Sequence, residues 1–502
     1  MAELRGGTER VDLGRGYALI APGLRGSAER LEAGAPDTRA RESVTPLFDE
    51  ALARTEMTSV ATVEIQATPL PGSGASDLRN PRGDEALLLE VPDLGPEAGQ
   101  VVLSVDEAGT VSWNFPLEGG QFQAPSDRGT GGKKRFLIRR YTPPAPLANA
   151  ARDRSLFGAI GKKLLKVIVY PITDALIGKA ASEIAEHWEK KNRAYGIRDF
   201  TPSNYQRPEG SVLTGDGLAR LGQGQALLFI HGTFSTAHGA FSDMPADLVA
   251  ALHQRYEGRI FAFNHFTLSH DPASNVRWFS DRLRALSANS RLQVDVVCHS
   301  RGGLVARVLA DGHPAAAIDP NQVAVRRIVF VGAPNNGTIL VQPDHMMNMI
   351  DRLSSGLNLL PPGGVADVLD GVLIAVKIIG HGALKGLDGL QCMNEKGPFL
   401  KELNKRGRRN AEYYAVAANY EPQDPGLRAL VTGSIDLVVD RVFQGAENDL
   451  LVPERGVYDA NGSDSFPIAN NRRLRIPASD GVWHTKLFGH PRVAQQLSEW
   501  LQ

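Results

Sequence analysis

Residues 294 to 303 read VDVVCHSRGG: a β-branched run, then His299, Ser300 and, one residue on, two glycines. A serine hydroxyl becomes a nucleophile when it stands on an exposed turn with a base within hydrogen-bond reach. A strand that reverses directly into a helix forces the turning residue into a disfavoured backbone conformation, and strand and helix then nearly touch. The positions two before and two after must therefore be small. Gly302 meets this demand, and Cys298 stands where the G-x-S-x-G pattern has its first glycine, with a thiol compact enough to pack there. From composition, about 0.01 accidental matches to H-S-x-G-G are expected in a chain of this kind. That favours a nucleophile over the plain alternative, a buried serine capping a helix.

Further stretches carry the same theme: HGTF from His231, GAPNNGT from Gly332 and NDLLVP from Asn448. Together with HSRGG they resemble the α/β-hydrolase superfamily, in its lipase and esterase branch, over roughly residues 220–502. The first 200 residues lie outside the resemblance. It implies a chain order of serine, acid, histidine. His484, in a loop before the last helix, then corresponds to the base, whereas His490, directly before Pro491, reads as a helix cap. Asp436, Asp440 and Asp449 all follow the right strand. Asp449, followed by an apolar pair and proline, matches the family's acid best, with Asp440 its rival. An oxyanion hole is implied at the backbone N–H groups of Thr233 and Arg301. His231 and His299 read as structural neighbours, and the Arg301 side chain is given no catalytic task.

The implied activity is that of a serine hydrolase cleaving carboxylic esters, of lipid or other acyl type, through an acyl-enzyme. The same site would serve an acyltransferase, thioesterase or amidase. A reading from another class makes the chain an effector or binding protein, recruited to a partner or membrane by its N-terminal region. No cofactor and no metal are expected: H-E-x-x-H is absent, and Cys298 and Cys392 are the only cysteines.

The elements that must position these residues follow from the pattern. QALLFIHG, GRIFAFNH, LQVDVVCHS, VRRIVFVGAP and EYYAVAANY are apolar runs that read as strands buried on both faces, and amphipathic stretches separate the first four. This predicts an α/β fold, a doubly wound and mostly parallel sheet, over 205–502, closed by a helix after Pro491. About residues 338–410, with MMNMI and VADVLDGVLIAVKIIG, form an insertion where lipases carry a helical lid. Its apolar side chains are expected either to line an acyl site or to be core. The basic run KELNKRGRR reads as a solvated face.

Residues 1–145 are expected to form a small β-rich domain behind a loose N-terminal arm, with EALLLEV, QVVLSVDEAGTVSWNF and KRFLIRRY as strands. GTGGKK lacks the spacing of a phosphate loop and reads as a loop. Residues 146–204 are expected to be an amphipathic helical connector. In it Leu156, Phe157, Ile160, Leu164, Val167 and Ile168 would share one face of a helix over 155–170, opposite Lys162, Lys163 and Lys166. That helix would pack on a neighbouring domain or lie on a membrane surface.

The 502 residues carry 55 basic against 56 acidic side chains, so no global field selects nucleic acid as a partner. Neither a secretory signal nor an uninterrupted apolar span is read; Asp367, Asp370 and Lys377 break the best attempt. The expected setting is cytoplasmic, with peripheral membrane contact through the 155–170 segment and a protein partner for the N-terminal domain as further options.

Overall fold

A computed structural model describes residues 1–32, 46–69, 86–105, 111–117, 132–139, 161–172, 179–207, 212–284, 291–316, 319, 322–357, 365–405, 411–421, 443 and 446–502. Seven strands form the sheet that carries the candidate site: β11 Gly196–Asp199, β12 Gln225–Ile230, β13 Ile260–Asn264, β14 Leu292–His299, β15 Val323–Val331, β16 Glu412–Ala418 and β17 Arg473–Ile476. Their order is β11-β13-β12-β14-β15-β16-β17, parallel throughout except for β11 at one edge.

The apolar runs fill both sides of this sheet. Along β12, Ala226, Leu228 and Ile230 join one core while Leu227 and Phe229 join the other, as a period of two requires. Helices α5 (Pro272–Arg284) and α6 (Gly302–Asp311) cover the first face. Helices α4 (Ala246–Arg255) and α12 (Pro491–Trp500) cover the second, and the short helices α3 (Asp216–Leu221) and α11 (Glu454–Tyr458) stand in the connections before β12 and β17. The five strands expected from the sequence are present; β11, only four residues long and without an apolar run, escaped the pattern.

The N-terminal part is two antiparallel sheets. One runs β1 (Ala2–Arg5), β4 (Leu24–Glu32), β5 (Thr58–Pro69), β10 (Gly161–Pro171), β7 (Ala98–Val105), β8 (Val111–Asn114). The other runs β2 (Arg10–Gly14), β3 (Tyr17–Ile20), β6 (Ala86–Pro92), β9 (Lys133–Arg139). Leu19, Val63, Leu89, Phe136, Leu165 and Val167 are among the side chains buried between them.

Two expectations are corrected here. The N-terminal arm is not loose, because the first 32 residues supply four strands to these sheets. The helix over 155–170 is not formed across its described part. Residues 161–171 are strand β10, paired on both sides, with Leu165 opposite Val63 and Ser104. Leu165 and Val167 face the inter-sheet core, while Leu164, Ile168 and Tyr170 face the opposite core. A run that is apolar on both faces mimics a helical stripe, and the β-branched Val167-Ile168-Val169 decides for strand. Residues 155–160 lie outside the described residues. Among the described residues of the expected connector, α2 (Ala181–Asn192) is the helix, with strand β10 of the N-terminal sheet before it in the chain and β11 of the seven-stranded one after it.

Between β15 and β16 stand α7 (Pro343–Leu357), α8 (Val365–Gly380), α9 (Asp388–Gln391) and α10 (Pro398–Asn404). Met346, Met349 and Ile350 of α7 and Val372 to Val376 of α8 are buried in one cluster with Trp113, Val101 and Leu103 of the N-terminal sheet. Phe48 and Leu52 of α1 (Pro46–Arg54) belong to it too, and Arg54 pairs with Asp370 at 3.5 Å. The insertion therefore lies sandwiched between the two β structures. Among the described residues no helix is long and apolar enough to cross a membrane.

Candidate functional site

Ser300 sits between the last residue of β14 and the first of α6, at the carboxyl end of a central parallel strand. Its φ is +52°, in the left-handed region that non-glycine residues rarely enter. Three glycines permit this turn. A Cβ on Gly302 would overlap the carbonyl oxygens of Ile230 and, at 2.5 Å, His231. One on Gly303 would overlap Ala333, and one on Gly232 would lie 2.6 Å from Ser300 Cβ. The Ser300 N–H donates to Val331 O at 3.0 Å, which ties the turn to the end of β15. Cys298 is fully buried, with its thiol 3.4 Å from Val329 O, and burial pushes its pKa well up, so it stays a protonated packing group.

Asp449 and His484 meet. His484 Nδ1 lies 2.7 Å from Asp449 Oδ2, and the His484 backbone N–H donates to Asp449 O at 3.1 Å. The other carboxylate oxygen accepts from the N–H groups of Leu451 (3.1 Å) and Val452 (2.8 Å). Asp449 is 1% exposed. An anion so held takes its proton donor from Nδ1–H, which leaves Nε2 of His484 as the acceptor. Leu450, next to Asp449, has φ +82°, so this turn is also strained.

His484 lies against the serine turn through its neighbours. Its Cε1 and Nδ1 pack over Gly332, each 3.2 Å from where a Cβ would stand, directly after the Val331 that binds Ser300 N–H. The His299 ring lies tilted at 4.8 Å from that of His484, and His299 Nε2 lies 3.0 Å from His484 O. Burial, with His484 beside it, lowers the His299 pKa to about 3, so the ring is neutral and donates from Nε2. Ser300 and the Asp449–His484 pair thus flank the same Val331-Gly332 step, and no hydrogen bond joins Ser300 Oγ to His484.

Thr233 follows Gly232, with its hydroxyl 3.9 Å from Met393 Sδ, and Phe234 turns the loop with φ +58°. Arg301 occupies the N-cap position of α6, so its N–H lies at a helix start. Its fully buried side chain donates to Gly389 O, His270 O and Asn275 Oδ1, which ties α9 to the segment before α5. His231 Nε2 accepts from His265 N–H at 3.2 Å, and burial drives its pKa down to about 3; it is a neutral packing group.

His490 does stand at the N-cap position of α12, but its side chain makes no cap bond and lies 3.3 Å from Asp480. Asp436 and Asp440 lie outside the described residues. The sequence alone assigns no role to the GAPNNGT side chains, which hold the Asp449 turn and the helix that follows it. Thr338 Oγ1 donates to Leu451 O at 2.7 Å, and Asn335 Nδ2 donates to Val457 O at 2.7 Å. Their motif was visible; the partners, over 110 residues away, were not.

A family model described as "Domain of unknown function (DUF7379)" matches residues 192–502. The chain belongs to this DUF7379 family. The matched stretch begins at the last residue of α2 and takes in Ser300, Asp449, His484, Thr233 and the whole insertion. The N-terminal sheets fall outside it. A comparison with curated proteins finds no match. Among solved structures, the chain is similar to lipase 1 from Pelosinus fermentans, with 11% identity over 55% of this chain and 96% of that one and a TM-score of 0.37. EstA from Clostridium botulinum gives 12%, 55%, 86% and 0.36, and the Staphylococcus hyicus lipase 14%, 55%, 95% and 0.32, in the same order.

Proposed function

We propose that this DUF7379 protein is a serine hydrolase of carboxylic esters. One observation carries the reading: a serine at φ +52° on a strand-to-helix turn, beside a buried Asp449–His484 pair whose free nitrogen is Nε2. In the proposed reaction Ser300 Oγ attacks the ester carbonyl as His484 Nε2 takes its proton, with Asp449 steadying the imidazolium. The carbonyl oxygen, now an anion, is held by the N–H groups of Thr233 and Arg301. His484 returns the proton to the leaving alcohol, and an acyl-Ser300 ester remains. Water then gives its proton to His484 and its oxygen to the acyl group, releasing the acid and restoring the serine.

The buried apolar neighbours of the turns, Met393 beside Thr233 and Leu487 beside Gly332, make the surroundings of the serine hydrophobic and lead us to propose an acyl group of hydrocarbon character. Each CH₂ buried there contributes about 0.8 kcal/mol. p-Nitrophenyl esters of increasing acyl length test this directly. Hydrolysis by the wild type, rising with chain length and abolished in Ser300→Ala, is expected. Equal hydrolysis by Ser300→Ala would refute the reading, and product transfer to added alcohols in preference to water would make the enzyme an acyltransferase.

A further inference from the structure

Helix α7 presents polar side chains in two directions. On one side, Trp113 N donates to Asp351 Oδ1 (2.9 Å), Trp113 Nε1 to Ser354 Oγ (3.0 Å) and Val111 N to Ser355 Oγ (3.0 Å), while Ser355 Oγ donates to Val111 O. The i, i+3, i+4 spacing sets these three acceptors on one face, against strand β8 of the N-terminal sheet. Arg352, a third of a turn away, points elsewhere. Its guanidinium is buried at 4% exposure, lies 5.3 Å over the Phe443 ring and donates from Nη1 to Leu450 O at 2.8 Å. Leu450 is the left-handed residue that follows Asp449. Among the described residues Nη2 has no hydrogen-bond partner. A guanidinium buried here is held at a cost in desolvation, which Asp351 offsets only in part.

We propose that Arg352 is a positioning residue for Asp449, and that β8 holds α7, and Arg352 with it, in the place that task requires. The inference rests on the hydrolase reading above. It makes the N-terminal β structure, which the family match leaves out, a working part of the site. The guanidinium pins the carbonyl of the strained residue, Thr338 pins the next one, and the Asp449 carboxylate is thereby aimed at His484 Nδ1.

The test uses the full chain labelled with ¹⁵N-histidine. The downfield Nδ1–H resonance of His484 is assigned by its loss in Asp449→Asn. It is expected to disappear or move upfield in Arg352→Ala, to persist in Arg352→Lys, and to weaken in Trp113→Phe, which removes the donor to Ser354. In ester hydrolysis, Arg352→Ala is expected to lower kcat about 10–100-fold at unchanged KM. A folded Arg352→Ala protein that keeps both the resonance and the wild-type kcat overturns the proposal. A wild type that hydrolyses no ester refutes the hydrolase reading, and the resonance still decides this inference.

Discussion

The Asp449 carboxylate spends its lone pairs on two backbone N–H groups and one imidazole, and each partner constrains a different thing. The amides fix the turn, and the imidazole receives a defined tautomer. Asp449→Asn keeps the size and offers an amide in place of an acceptor, so His484 would present its proton from Nε2, toward the serine. The expected result is a folded protein with kcat lowered about 10⁴-fold, measured by steady-state hydrolysis beside circular dichroism. A loss below tenfold would mean that another acid orients the base. His299 belongs to this scale as well. It looked like mere packing in the sequence, yet its neutral ring bonds the carbonyl of His484, a contact across 185 residues that no local pattern announces.

At the scale of elements, the turn between β14 and α6 was legible because close approach leaves a mark in residue type: Gly302 and Gly303 stand where any Cβ collides. Gly302→Ala drives a methyl into two carbonyl oxygens, and a loss of about 1–3 kcal/mol or more is expected. Urea denaturation of Ser300→Ala with and without the second change measures it free of any catalytic effect; equal midpoints would contradict the packing described. The parallel strands were legible for a similar reason, since burial on both faces demands unbroken apolar runs. The same property hid β10. Its two-faced apolar content, with a register shift between Val167 and Ile168, reads equally as a helical stripe until its pairing with β5 and β7 is seen. Arg352 carried no signal at all, being one arginine on an amphipathic helix.

The whole molecule is held together through the insertion. Helix α8 meets α1 at the Arg54–Asp370 pair, and its Gly371 packs on Phe234 of the Thr233 loop, so the N-terminal part reaches both the Thr233 loop and the Asp449 turn. Burial raises the Asp370 pKa from 3.8 to about 6, against the pull of Arg193 and Arg54. An acid whose folded pKa is raised favours folding below its unfolded pKa and loses that contribution as pH rises through about 6. The stability of the wild type relative to Asp370→Asn should therefore fall between pH 4 and 7, by up to about 3 kcal/mol. Chemical denaturation at pH 4, 5.5 and 7 follows it, and a difference that rises with pH would mean that the Arg54 attraction outweighs desolvation.

The central claim is that Ser300 is the nucleophile of a buried relay with His484. Intact-protein and peptide mass spectrometry after treatment with a fluorophosphonate tests it most directly. One adduct is predicted on the peptide that contains Ser300, formed far more slowly in His484→Gln and not at all in Ser300→Ala. An adduct on another residue, or labelling of Ser300 that is indifferent to His484, would contradict it.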